Sequence, residues 1–239
     1  MAQTLEGEVG PALQRPDALF QSGVQRRSTL VVGEEADART LGRLHAARAV
    51  EIDLPGLARL VDISKANRTA QPWTIDGDAF VSFRGGMRPV FHHGDLHVRG
   101  SLLIDENAWL IVTGDLLVDG IVSDYQHCTL AVGGNVYARR LVTSGSLVTL
   151  GSVEISDVGL AREESILQIG HALRSPLFLH YRSEIKTGSG VEVIESVDLG
   201  DAARIAALLP RFAPDVVSPS GAVDPDRCER LLRCGLSVL

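Results

Sequence analysis

The chain has 239 residues, 45% of them hydrophobic and 22% charged, with a formal net charge of −7. That acidic balance argues against non-specific binding to nucleic acid or anionic lipid and suits a basic partner protein. No apolar run reaches the ~18 residues that a membrane span needs, and the balance of hydrophobic and charged residues is that of an ordinary soluble protein. Aromatics make up only 5% while Gly numbers 24, which fits many tight turns around a slim aliphatic core.

Residues 1–74 read as a mixed α/β N-terminal cap. Met1 to Gly10 carries two Glu and no cationic or apolar stretch, unlike a secretory signal. Helical potential runs from Pro11 to Gln21, a strand from Thr29 to Val32, and a helix candidate from Glu34 to Ala47. A second strand is expected at Val50 to Leu54, followed by apolar Leu57 to Ile63 and a loop over 64–74. Strand onsets near 30, 50 and 75 leave open whether coils begin before residue 75.

From about 75 to 190 the chain repeats itself. Aligned on glycine, the units are Gly77-Asp78-Ala79-Phe80-Val81, Gly94-Asp95-Leu96-His97-Val98, Gly114-Asp115-Leu116-Leu117-Val118, Gly134-Asn135-Val136-Tyr137-Ala138 and Gly151-Ser152-Val153-Glu154-Ile155, with a weaker Gly170-His171-Ala172-Leu173. Glycine tolerates the positive φ of a sharp corner, and the polar residue beside it bonds nearby backbone groups to close the turn. The apolar residues two apart share one strand face, so Leu96, Val98, Leu116, Val118, Val136, Val153 and Ile155 are expected inward; the residue between varies freely because it points out. Two further apolar patches follow in each period, as in Leu102-Leu103-Ile104 and Leu110-Ile111-Val112. Three strands per period imply a mainly β fold, a triangular β-helix (solenoid) of six or more coils with helical or mixed caps at both ends.

Residues 191–239 read as a C-terminal strand and capping helices. Asp201 precedes a helix from Ala202 to Leu209 that Pro210 stops, and Asp224-Pro225 opens another that Gly235 ends. These helices are expected to fold over the last coil and cover its strand edges. Cys128, Cys228 and Cys234 are an odd count, read as reduced thiols in a cytoplasmic protein.

The pattern Gly-Asp-Leu-x-Val-x-Gly, at Gly94 to Gly100 and Gly114 to Gly120, resembles the bactofilins, polymer-forming bacterial cytoskeletal proteins. The resemblance covers about residues 77–175 and implies a right-handed β-helix and a self-assembling scaffold. The long folded flanks depart from that family's bare helix, and a capped solenoid is also similar in architecture to some bacterial proteins that neutralise toxins.

Candidate chemistry is sparse. His92, His93, Asp95 and His97 gather at one corner, where a metal or acid–base site competes with a plain turn. Ser123-Asp124-Tyr125-Gln126-His127 interrupts the repeat, but three neighbours in one loop do not make a triad. No cofactor is expected and the chain is read as non-enzymatic. Asp105, Glu106, Asp119, Asp124, Glu163 and Glu164 fall where solenoid turns face solvent, and with Tyr125 they form the candidate contact surface for a basic partner. The leading expectation is an immunity-type protein, monomeric or a small oligomer, that blocks a cognate bacterial toxin. A bactofilin-like assembly protein is the alternative.

Overall fold

The computed structural model describes residues 28–29, 52–67, 69–81 and 90–239. Its strands are short because each corner of the repeat interrupts them, and every ladder between coils is parallel, the geometry of a solenoid of about six turns. Three faces result. The first holds β2 (Trp73–Ile75), β5 (Leu96–Val98) and the opening halves of β8 (Leu116–Asp124), β10 (Val136–Thr143), β12 (Val153–Ala161), β14 (Ala172–His180) and β16 (Gly190–Asp198). The second holds β1 (Ser28–Thr29), β3 (Ala79–Val81), β6 (Leu102–Ile104) and the closing halves of those long strands. The third is a separate sheet of β4 (Val90–His92), β7 (Trp109–Val112), β9 (Thr129–Val132), β11 (Ser146–Thr149), β13 (Ile166–Ile169) and β15 (Glu184–Thr187). The long strands turn from the first face to the second at a register shift, as between Ala138 and Arg140.

Alternation along each strand fills the interior. Leu96, Val98, Leu116, Val118, Val136, Val153 and Ile155 are buried in one column with Leu110, Leu130 and Leu147 of the third face. The residues between them, His97, Leu117, Tyr137 and Glu154, point outward as the pattern requires.

One repeat unit belongs to a different corner from the one its sequence suggests. Ala79–Val81 pairs with Leu102–Ile104 on the second face, and the strand preceding Leu96–Val98 on the first face is Trp73–Ile75. Gly77-Asp78 therefore sits over Gly100-Ser101: the Asp78 Oδ1 accepts from the Ser101 N–H at 2.7 Å. Glycine followed by a small polar residue marks both corners, so the motif alone does not distinguish them. The coil begins before residue 75 through β2 and β1.

The corner glycines owe their identity chiefly to crowding. Gly94 has φ +117, but at Gly134 the constraint is contact: an added Cβ would lie 2.1 Å from the Asp115 Oδ1 and 2.9 Å from the Asp115 N. The polar residue next to it bonds across coils rather than within its own turn. Asp95 accepts from the Asp115 N–H, Asp115 from the Asn135 N–H and Asn135 from the Ser152 N–H, at 2.8, 2.6 and 2.9 Å.

The flanking helices lie along the sides of the rod. Helix α1 (Leu54–Asn67) occupies part of the segment expected as strand and loop; Asp53, whose Oδ1 accepts from the Gly56 N–H, and Pro55 in the first turn are the start signal. Leu57 and Val61 pack on Phe91, Ile111, Ala131 and Val148, the outward residues of the third face. At the other end, α2 (Ala202–Leu208) and α3 (Pro225–Arg233) begin at Asp201 and Asp224 as their sequences predict. They stand at the C-terminal end of the solenoid, with their apolar residues turned to its side. Ile205, Cys228, Leu232 and Val238 pack with Val142, Leu160, Leu179 and Val197 on the outer side of the second face. The outward column of Val and Leu there gives the helices an apolar surface to bury against. The helix candidates at 11–21 and 34–47 lie outside the described residues, as does most of the Thr29 to Val32 strand.

Candidate functional surface

The histidines of the corner are tied into the fold by hydrogen bonds. His93 Nδ1 lies 2.8 Å from both the Ser64 Oγ of α1 and the Thr113 Oγ1 of the next coil. Asp95 is engaged by the Asp115 N–H, His92 Nε2 bonds the Asp95 carbonyl at 2.9 Å, and His97 Nε2 meets the Asp119 carboxylate at 2.9 Å. Partial burial holds the His92 pKa below its ordinary value. Among the described residues no group of three or more metal-ligating side chains converges, and no helix is long and apolar enough to cross a membrane.

The seven expected contact residues do not form one patch. Asp105 and Glu106, Tyr125, and Glu163 and Glu164 occupy the corner between second and third faces, in separate coils. Glu163 accepts from Arg182 at 2.8 Å, and Asp105 accepts from the Glu106 N–H. Asp119 lies at a different corner, between first and second faces, with His97.

Asp124 overturns its expectation of a solvent-facing turn, being fully buried. Leu116 pairs with Val136 20 residues on, whereas Val136 pairs with Val153 only 17 on. The missing residues come partly from the corner after β10, where Ser144-Gly145 does the work of 125–128 one coil earlier. Its backbone donors need an acceptor. Asp124 supplies it: Oδ1 accepts from the Ser144 and Gly145 N–H groups at 2.6 and 3.0 Å, and Oδ2 from the Thr143 hydroxyl at 2.8 Å. Burial nevertheless raises its pKa above the usual carboxylate range. Tyr125 is half-buried, and the Arg233 guanidinium of α3 lies 4.2 Å from its ring centroid. Burial likewise raises the thiols of Cys128 and Cys228, the latter to about 12.

What remains open is the first face. The third face carries α1 and the second carries the C-terminal segment, but among the described residues no helix packs on the outer column of the first. That column runs His97, Leu117, Tyr137, Glu154, Arg174 and Glu192, one residue per coil. Leu117 is 39% exposed. Arg174 Nη1 donates to Glu154 Oε1 at 2.9 Å and its Nε to Glu192 Oε2 at 2.8 Å, an ion-pair ladder across three coils. A shallow groove follows this column, with Pro176 and Ile194 along its side. The repeat pattern marks these positions only as variable; the signal they carry is a large or charged residue at every one from coil to coil.

No family model, curated protein or solved structure matches the chain.

Proposed function

We propose that this protein is a non-enzymatic, protein-binding β-solenoid, and in the finer reading an immunity-type protein that neutralises a basic bacterial toxin by direct binding. The observation that carries the coarser reading is the asymmetry of the three faces. Two are covered by the chain's own helices, and the first displays Leu117, Tyr137 and an ion-pair ladder. Tyr and Arg beside apolar surface are the residues that interfaces favour. A parallel solenoid is also rigid, so docking loses little conformational entropy. The net charge of −7 favours a cationic partner and steers its approach.

The test is binding kinetics against a candidate toxin encoded beside this gene, at two ionic strengths, with co-expression to measure survival. Tyr137→Asp should weaken binding by about tenfold or more, and higher salt should slow association. Binding unaffected by Tyr137→Asp sinks the first-face assignment. Survival no better than without the protein sinks the toxin reading.

A second reading, a self-assembling scaffold, is favoured by the lateral position of the helices, which leaves the edge of β16 unpaired among the described residues. Sedimentation and electron microscopy separate the two: a discrete monomer or small oligomer supports the first, long unbranched filaments the second.

A further inference from the structure

We infer that the free edge of β16 is a docking site for an extended segment of another protein, patterned apolar–basic–apolar and added to the sheet as one more strand; this rests on the protein-binding reading above. β16 pairs with β14 along one side, and among the described residues nothing pairs with the other. Its backbone donors and acceptors on that side form a template for strand addition. The C-terminal segment stands beside the half at Glu195 to Asp198: Glu195 accepts from Arg211 at 2.8 Å and Asp198 from the Gly200 N–H. Among the described residues no such bond from that segment reaches the half at Val191 to Ile194.

Three features there specify the occupant. Val191 and Val193 stand in register with Leu173 and Ser175, positions that face the interior in earlier coils. Val191 is 51% exposed because no coil follows, and Ile194, at the outward corner, is 87% exposed. Incoming residues at the Val191 and Val193 registers must therefore be apolar. Between them the outer column alternates in sign, Glu154, Arg174, Glu192, each bonded to the next. It ends on an acid, and Lys or Arg is the residue that extends it by one coil.

The same features argue against a second copy of this chain. Its first-face leading strand would present Trp73-Thr74-Ile75, with no cation at the central position. Its own β16 would bring Glu192 against like charge.

The probe is a labelled peptide with Val-Lys-Val at its centre and Ser and Thr outside, compared with the same peptide carrying Glu for Lys, by fluorescence anisotropy. The Lys peptide is expected to bind about tenfold more tightly. Glu192→Lys should invert that ranking and Glu192→Gln should abolish it. N-methylation of alternate peptide nitrogens should remove binding, and the amides of 190–194 should gain exchange protection when the unmodified peptide binds. Equal affinity for both peptides, an unchanged ranking in Glu192→Lys, full binding of the methylated peptide, or no saturable binding overturns the inference. A partner held through Tyr137 and indifferent to Glu192→Lys would overturn it while leaving the protein-binding reading intact. Self-association of the wild-type protein that Glu192→Lys abolishes would assign the edge to a second copy and also overturn it.

Discussion

The Oδ1 of Asp115 accepts a hydrogen bond from the backbone N–H of Asn135, 2.6 Å away and one coil further along the rod. The same atom lies where a Cβ on Gly134 would have to go. The two halves of the Gly-Asp motif thus belong to different coils: the glycine makes room for the aspartate beneath it. Asp115→Ala should leave the Asn135 N–H without its acceptor and cost about 1–3 kcal/mol. Gly134→Ala in the wild-type background should cost at least as much, but less when combined with Asp115→Ala, because the smaller side chain removes the nearest collision. Urea melts of the two single variants and the double variant check this, and strict additivity would refute the shared contact.

Asp124 makes the stability of the fold depend on pH in a predictable direction. Its folded-state pKa lies above the ordinary value of about 3.9. The folded protein therefore holds the proton more tightly than the unfolded chain, so ionisation of Asp124 costs stability at neutral pH. That cost fades as pH falls through the folded pKa toward the unfolded one. Asp124→Asn keeps the shape and still offers one acceptor to Ser144 and Gly145 without the buried charge. The stability difference between wild type and Asp124→Asn, from denaturant melts at neutral and mildly acidic pH, should shift in favour of the wild type as pH falls. A difference independent of pH would show that Asp124 is not the titrating group.

The periodic core was legible in the sequence because period-2 alternation at Leu96, Val98, Leu116 and Val118 has a single physical reading. Other features were not, and for separable reasons. Gly77-Asp78 reads as one corner away from its place because the same glycine–polar pair serves two corners. Asp124 reads as a loop acid since its burial depends on a turn that is shorter 20 residues later. The starts of α2 and α3 were readable from Asp201, Asp224 and Pro225, but an apolar helix stripe does not say which apolar surface receives it. Only the outward Val142, Leu160 and Val197, seen together, explain why the helices lie along the side. The Glu154–Arg174–Glu192 ladder needs the register of three coils before it exists as a feature.

Glu164 sits at φ 65, in the left-handed region, at a corner where Asn107, His127 and Arg182 do the same in other coils. A residue with a Cβ pays roughly 1–2 kcal/mol for that conformation. Glycine does not, though it loses more entropy on folding. Glu164 is exposed and its backbone N–H donates to the Arg182 carbonyl at 3.2 Å, a bond that glycine retains. Glu164→Gly should stabilise the protein by about 0.5–1 kcal/mol, read as a rise in Tm of about 2 °C. A lower Tm would mean that the side chain contributes more than its backbone strain costs.

Arg233 fastens α3 to the side of the rod. Its Nη2 donates to the Asp124 carbonyl at 2.6 Å, its Nε to Glu229 at 2.8 Å, and its guanidinium covers the Tyr125 ring. Glu229 also pairs with Arg162 on the coil beneath. Arg233→Ala removes a buried cation and leaves the Asp124 carbonyl without that donor, so a cost of about 3–5 kcal/mol is expected. Because α3 covers a flank and the coil ladders do not run through it, the loss should be local. Amides of 225–239 should exchange far faster while those of Leu130, Val136 and Leu147 keep their protection. Arg233→Met, which restores the apolar stem without the charge, should recover part of the loss. Uniformly faster exchange along β9, β10 and β11 would show instead that the C-terminal helices and the coils unfold as one unit.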